Sequence, residues 1–136
     1  NSPPPPRKGP RMSPDLQAAV NGIGLDDEQI RTMQLSEPTP HGLATAGDPH
    51  ESYSSAYIDG STEVGVWECT PGRFPGTKEG INEMMHLLSG RATITDEDGT
   101  KHELGAGTMF ILLDGWRGEW EVHETVRKVY AIWPSR

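Results

Sequence analysis

The sequence predicts an all-β fold, a closed barrel of short strands around a pocket, preceded by short N-terminal helices. Three observations lead there. Between residues 64 and 133 the chain is punctuated by glycine turns, at PGRFPG, LLSGRA, DEDGTK, LGAGTM and LLDGWRG. The runs between those turns recur at roughly 8–12 residues, the spacing of strands that each bury one face and need partners to cover it. A length of 136 residues supplies one domain with enough chain to bury a core.

The elements follow in order. Residues 1–12, NSPPPPRKGPRM, combine a proline run with basic residues and read as a flexible Pro-rich arm. Residues 13–61 form an N-terminal helical and connecting region. Ser13, Pro14 and Asp15 have the chemistry of a helix start, which predicts a helix over 14–21 closed by Gly22. Asp26 and Gln29 stand at capping-box spacing beside the apolar Leu25, Ile30 and Met33, predicting a second helix over 26–35 on the outside of the barrel. The turn formers of 36–49 predict an irregular connection, and 53–58 an edge strand. Within the barrel, 62–136, strands are predicted at about 62–70, 81–88, 92–96, 100–104, 109–113, 118–123 and 126–133. Asp98-Gly99 marks a tight hairpin between two of them.

Composition narrows the function. The one cysteine, Cys69, rules out an intrachain disulfide and a cysteine-based zinc site, and its place in a strand marks it as a small buried hydrophobe. No apolar run approaches the ~20 residues that cross a bilayer, and no signal-type core opens the chain, so no membrane partner and a cytoplasmic location are expected. Formal net charge is −8, and Arg7, Lys8 and Arg11 precede the first acid, leaving the remainder at about −11. So acidic a body is a poor partner for nucleic acid.

The segments GVWECTPGRF, NEMMHLLSGRATITDEDG, LGAGTMFILLDGWRGEWEV and ETVRKVYAIW resemble the cupins, in particular the small single-domain branch that includes ureidoglycine aminohydrolase-type and ethanolamine-utilisation-type domains. The resemblance spans about 64–133. It implies a cupin-type double-stranded β-helix, or jelly-roll barrel, and a homodimer. It also implies a place for a metal, held by two histidines, a glutamate and a third histidine. Glu83 matches the glutamate. Ahead of it, where the histidines should stand, are Gly76, Thr77, Lys78 and Glu79, and the third histidine's place is taken by Gly118. One carboxylate cannot hold a transition metal, so no metal and no cofactor are expected.

What remains is a small-molecule pocket organised around Glu83. Strand alternation puts Glu83, Met85 and Leu87 on one side and Met84, His86 and Leu88 on the other. If Gly118 faces inward, Trp120 and Val122 do too. In the last strand, Val126, Lys128, Tyr130 and Ile132 share one face and Arg127, Val129, Ala131 and Trp133 the other; the pattern leaves open which is inside. Candidate catalytic residues are Glu83, Tyr130 and Lys128, as a proton-transfer set. Candidate substrate-binding residues are Trp67, Arg73, Met85, Trp116, Arg117 and Trp120, and the resemblance implies that Trp116 and Arg117 sit at the mouth. The expected function is metal-independent isomerase-, lyase-, dehydratase- or cyclase-type chemistry on a small organic acid or aromatic metabolite. The alternatives are a non-catalytic binding barrel and a metal enzyme using Glu83, His86 and His123. On the first reading Glu83→Gln abolishes turnover and leaves the fold and ligand binding largely intact.

Overall fold

A computed structural model describes residues 22–136, so the arm over 1–12 and the helix predicted over 14–21 lie outside the described residues. Helix α1 spans Asp27–Thr32 and opens on the expected capping box: Asp26 Oδ1 accepts from the Gln29 N–H and Gln29 Oε1 from the Asp26 N–H, at 2.8 and 2.9 Å. It stops earlier than predicted, because Met33 turns extended (φ −60°, ψ 148°). The Arg127 guanidinium takes over there, donating to the carbonyls of Ile30 (3.1 Å) and Met33 (2.7 Å) and so tying the helix end to the outer face of the barrel.

Among the described residues nine strands make the barrel: β1 (Thr39–Pro40), β2 (Ala46–Gly47), β3 (His50–Asp59), β4 (Thr62–Cys69), β5 (Gly72–Thr77), β6 (Ile81–Asp96), β7 (Lys101–Leu104), β8 (Met109–Leu112) and β9 (Arg117–Pro134). All pairings are antiparallel, in the order β1-β3-β4-β9-β5-β2, with β6 bonded to β9, β7 and β8. The all-β jelly-roll expectation is borne out, and β3 joins this sheet ahead of residue 62.

Three readings of the chain need correction. PGRFPG was expected to be a turn, yet Gly72–Thr77 is a strand paired with β9 from Val122 to Arg117. Pro75 is tolerated because β5's other neighbour, β2, pairs only with Gly72 and Arg73, so no ladder partner needs the missing N–H. LLSGRA was expected to separate two strands, but β6 is continuous, with register irregularities between Leu87 and Ala92. Likewise 118–123 and 126–133 are halves of β9. Gly90 (φ +88°) sits at the bend, where an added Cβ would meet the Thr125 carbonyl oxygen. Glycine here lets two paired strands fold over together instead of ending them. The Asp98-Gly99 hairpin forms as expected, with Gly99 at φ +94° and its N–H donating to the Asp96 carbonyl at 2.8 Å.

The inner face of β9 is Val126, Lys128, Tyr130 and Ile132, all at most 1% exposed. With Trp67, Phe74, Met85, Leu87, Ile94 and Trp120 they fill the barrel.

Candidate functional site

Glu83 lies on β6, opposite Leu112 of β8 and Ile132 of β9, and is fully buried. Its two carboxylate oxygens each hold an ammonium group: Lys78 Nζ lies 2.8 Å from Oε1 and Lys128 Nζ 3.0 Å from Oε2. Lys78, 2% exposed, follows β5 on a loop fixed by backbone bonds, its N–H donating to the Trp116 carbonyl and its carbonyl accepting from the Gly115 N–H. Lys128 lies on β9, paired with Trp67 on one side and Leu87 on the other. Its Nζ sits 4.3 Å from the Trp67 ring centroid and 4.8 Å from that of Trp120, so indole faces share its charge with Glu83.

Burial dominates the proton equilibria. It lowers Lys128 to about 8, against the pull of Glu83, with Lys78 pushing the same way as burial. Lys78 is lowered too, by burial opposed by Glu83. The Lys128 shift has a measurable consequence. The unfolded chain, near 10.5, binds more protons than the folded one between about 8 and 10.5, so stability from this group is lowest below pH 8 and recovers as pH rises through that window. The difference is about 3 kcal/mol. Thermal melts of the wild type and Lys128→Met from pH 7 to 10 should show the wild type gaining relative to the variant; parallel curves would mean that Lys128 does not titrate there.

Tyr130 does not join this cluster. Its hydroxyl donates to Glu63 Oε2 at 2.7 Å, and the Ser55 hydroxyl donates to the same oxygen at 2.6 Å, forming a second buried polar group. Burial and the Glu63 carboxylate push the phenol well above its ordinary range, so it stays a hydrogen-bond donor.

Of the six predicted binding residues, Trp67, Met85 and Trp120 are fully buried and wrap Lys128. They are packed core, and the interior is not an open pocket. Arg73 and Arg117 lie on the outer surface, a correction that strand parity explains. Each is adjacent to an inward residue, Phe74 and Gly118, and therefore points out, with Arg73 3.4 Å from Glu121 and Arg117 3.7 Å from Glu97.

Trp116 is half-buried. It lines an open cavity of about 370 Å³ together with Asp96, His102, Phe110, Leu112 and Asp114. Asp96 organises that cavity, accepting from the Trp116 indole N–H at 2.8 Å on one oxygen and meeting His102 Nε2 at 2.8 Å on the other. The bond from His102 holds the Asp96 carboxyl below its usual range. Leu112 lines the same cavity and pairs in register with Glu83, so cavity and ion cluster share this strand pair. A larger cavity of about 480 Å³ on the outer face, between α1 and β3–β4, is lined mainly by apolar side chains such as Ile30, Met33 and Val64, with Tyr57 among them.

Sequence reading missed Lys78, Asp96, His102 and Glu63 as site residues. Parity across the Asp98-Gly99 hairpin carried a signal for two of them, since Asp96 and His102 share the inward face with Ile94. Lys78 carried another: the chain has only four lysines, and this one stands where the resemblance implies a histidine.

The residues present do not fit a metal. Both Glu83 oxygens face ammonium groups, and Gly118 and Lys78 occupy histidine places. His86 and His123 lie on the outer face, His123 bonded to the Thr93 hydroxyl at 2.8 Å, so neither converges on Glu83. Among the described residues no three His, Cys, Asp or Glu side chains gather.

Residues 58–130 match the family described as the EutQ-like cupin domain. No curated protein matches the chain. Solved structures that share the fold include a DUF861-family protein of unknown function from Pseudomonas syringae pv. tomato, at 24% identity and TM-score 0.63 over 74% of this chain and 43% of that one. They also include the EutQ protein of Clostridium difficile, at 17% identity and TM-score 0.56 over 63% and 64%. A third is ectoine synthase from P. lautus, at 12% identity and TM-score 0.57 over 62% and 64%. The chain spans less than half the length of the first and less than two thirds of the other two. At these identities the likeness is one of fold.

Proposed function

The chain belongs to the EutQ-like cupin family, and on that premise we propose that its barrel takes a small organic acid through the Trp116 mouth and moves a proton on it without a metal. The observation that carries this reading is the buried Lys78–Glu83–Lys128 cluster. Two ammonium groups on one carboxylate give the cluster itself a formal excess of one positive charge in a buried site, where charge is costly. A bound carboxylate balances it. Lys128 then serves as the proton carrier, because its value of about 8 lets it give up or take a proton near neutral pH. Glu83 is its exchange partner at 3.0 Å, and Lys78 holds Glu83 in place. Leu112 and Trp116 must move aside for the acid to pass, a gating step of the kind common in closed active sites.

The closed interior favours a second reading, a non-catalytic barrel that holds its ligand at the mouth against Asp96, His102 and Phe110. One experiment separates the two. Small carboxylic acids are incubated with the protein in D₂O and examined by NMR. Enzymic proton transfer predicts deuterium at the carbon next to the carboxylate or carbonyl, lost in Lys128→Met. Binding alone predicts shifts of the Trp116 indole resonance with the acid unchanged. If no acid perturbs Trp116, both readings fail.

A further inference from the structure

A single ammonium group neutralises Glu83, yet the chain commits two of its four lysines to it. Lys78 suffices as the counter-ion: it sits 2.8 Å from Oε1 on a loop fixed by two backbone bonds. That leaves Lys128 as a fully buried amine with a proton acceptor at 3.0 Å, set against two indole rings, and burial favours the free amine of an activated nitrogen nucleophile. The Trp120 indole N–H, buried in the same wall, has no acceptor among the described residues. A buried unpaired donor is costly, and an oxygen-bearing ligand relieves that cost.

We propose that Lys128 is a nucleophile that condenses with the carbonyl of a small 2-oxo acid to form an imine. The inference rests on the proposed function, and narrows its organic acid to one bearing a carbonyl. Glu83 first takes a proton from the Lys128 ammonium. The freed Nζ lone pair attacks the carbonyl carbon, forming the C–N bond while the C=O π electrons pass to oxygen, which is protonated. A proton moves from nitrogen to that hydroxyl through Glu83, the C–O bond breaks, and water leaves. Of the three ammonium protons, two end on the water and one on the iminium nitrogen. The products are an iminium ion and water, with no oxidant or reductant required. The iminium keeps the positive charge over Trp67 and Trp120, and the acid's carboxylate balances the excess charge of the cluster. The lowered proton affinity of Lys128 acts in the same direction, since it raises the fraction of free amine near neutrality.

The test uses the full chain with glyoxylate as probe, cyanoborohydride to reduce any iminium to a stable secondary amine, and peptide mass mapping at neutral pH. The exposed Lys101 is the internal reference. Labelling of Lys128 is expected to run about tenfold or more ahead of Lys101, to be slowed by glycolate, which lacks the carbonyl, and to quicken in Trp116→Ala, which opens the mouth. Label on Lys101 or Lys78 in preference to Lys128, or equal rates at Lys101 and Lys128, overturns the proposal. Glycolate shifting the Trp116 indole resonance without any Lys128 adduct overturns the imine alone and leaves the proposed function standing. If neither glycolate nor glyoxylate acts at the barrel, both fall.

Discussion

Glu83→Gln is expected to destabilise the protein by about 3–5 kcal/mol, the cost of removing one member of a buried ionic group and leaving its partners uncompensated. For a chain of this size that lowers the melting temperature by about 10 °C or more. The carboxamide has the shape of the carboxylate but not its charge, and it faces Nζ atoms that now lie 2.8 and 3.0 Å from the carboxylate oxygens, in a site with no exposed surface. Lys128, already down to about 8, answers by losing its proton, which limits the loss but does not cancel it. With so large a loss expected, lost turnover in Glu83→Gln would not by itself identify a catalytic carboxylate. A control follows from the same physics. Replacing all three members, as Lys78→Met, Glu83→Leu and Lys128→Met together, should recover much of the loss, because matched apolar groups are frequently as stable as a buried ion cluster. Thermal melts of the single and triple variants check both; a Glu83→Gln protein melting within a degree or two of the wild type would contradict the buried cluster.

Gly118→Ala is expected to cost about 3 kcal/mol, and Gly118→His to prevent a well-packed barrel. A Cβ at this position would overlap the Thr95 carbonyl oxygen and come within 2.5 Å of Cζ2 of the Trp116 ring. The oxygen belongs to β6 backbone that runs alongside β9 here and cannot withdraw. Trp116 is tethered by its indole bond to Asp96. The obstacle is steric, since Gly118 is not among the positive-φ glycines. The consequence reaches the chemistry: the place the resemblance gives to a metal histidine is filled by the Trp116 ring and a neighbouring strand. Chemical denaturation of Gly118→Ala reads the cost directly, and a near-neutral result would show that the Trp116 ring does not pack over this glycine.

Much of this site could be read in the chain because strand alternation is a local property. Glu83, Met85 and Leu87 face inward as their spacing requires, and Trp120 joins them once Gly118 is placed inward. The Asp26–Gln29 cap and the Asp98-Gly99 hairpin are equally local, each decided by side chains three or fewer residues apart. Errors arose where a residue's meaning depends on what lies across the sheet. Gly90 has the same composition as a turn glycine, and only the close approach of Thr125 makes it a bend within a continuous strand. Pro75 is a strand residue only because its other side is unpaired.

The amino-acid sequence by itself determined that this is a small all-β barrel, which residues of β6 share a face, and that the histidines of a metal site are missing. The tertiary structure decided which ionisable groups meet. Lys78, Glu83 and Lys128 come from a loop and two strands, separated by up to 50 residues, and Tyr130 goes to Glu63 instead. Parity places a side chain on a face but says nothing about which residue of another strand stands opposite. That depends on register and on how sharply the β6–β9 pair bends, and at hydrogen-bond range a shift of one residue exchanges one charge partner for another.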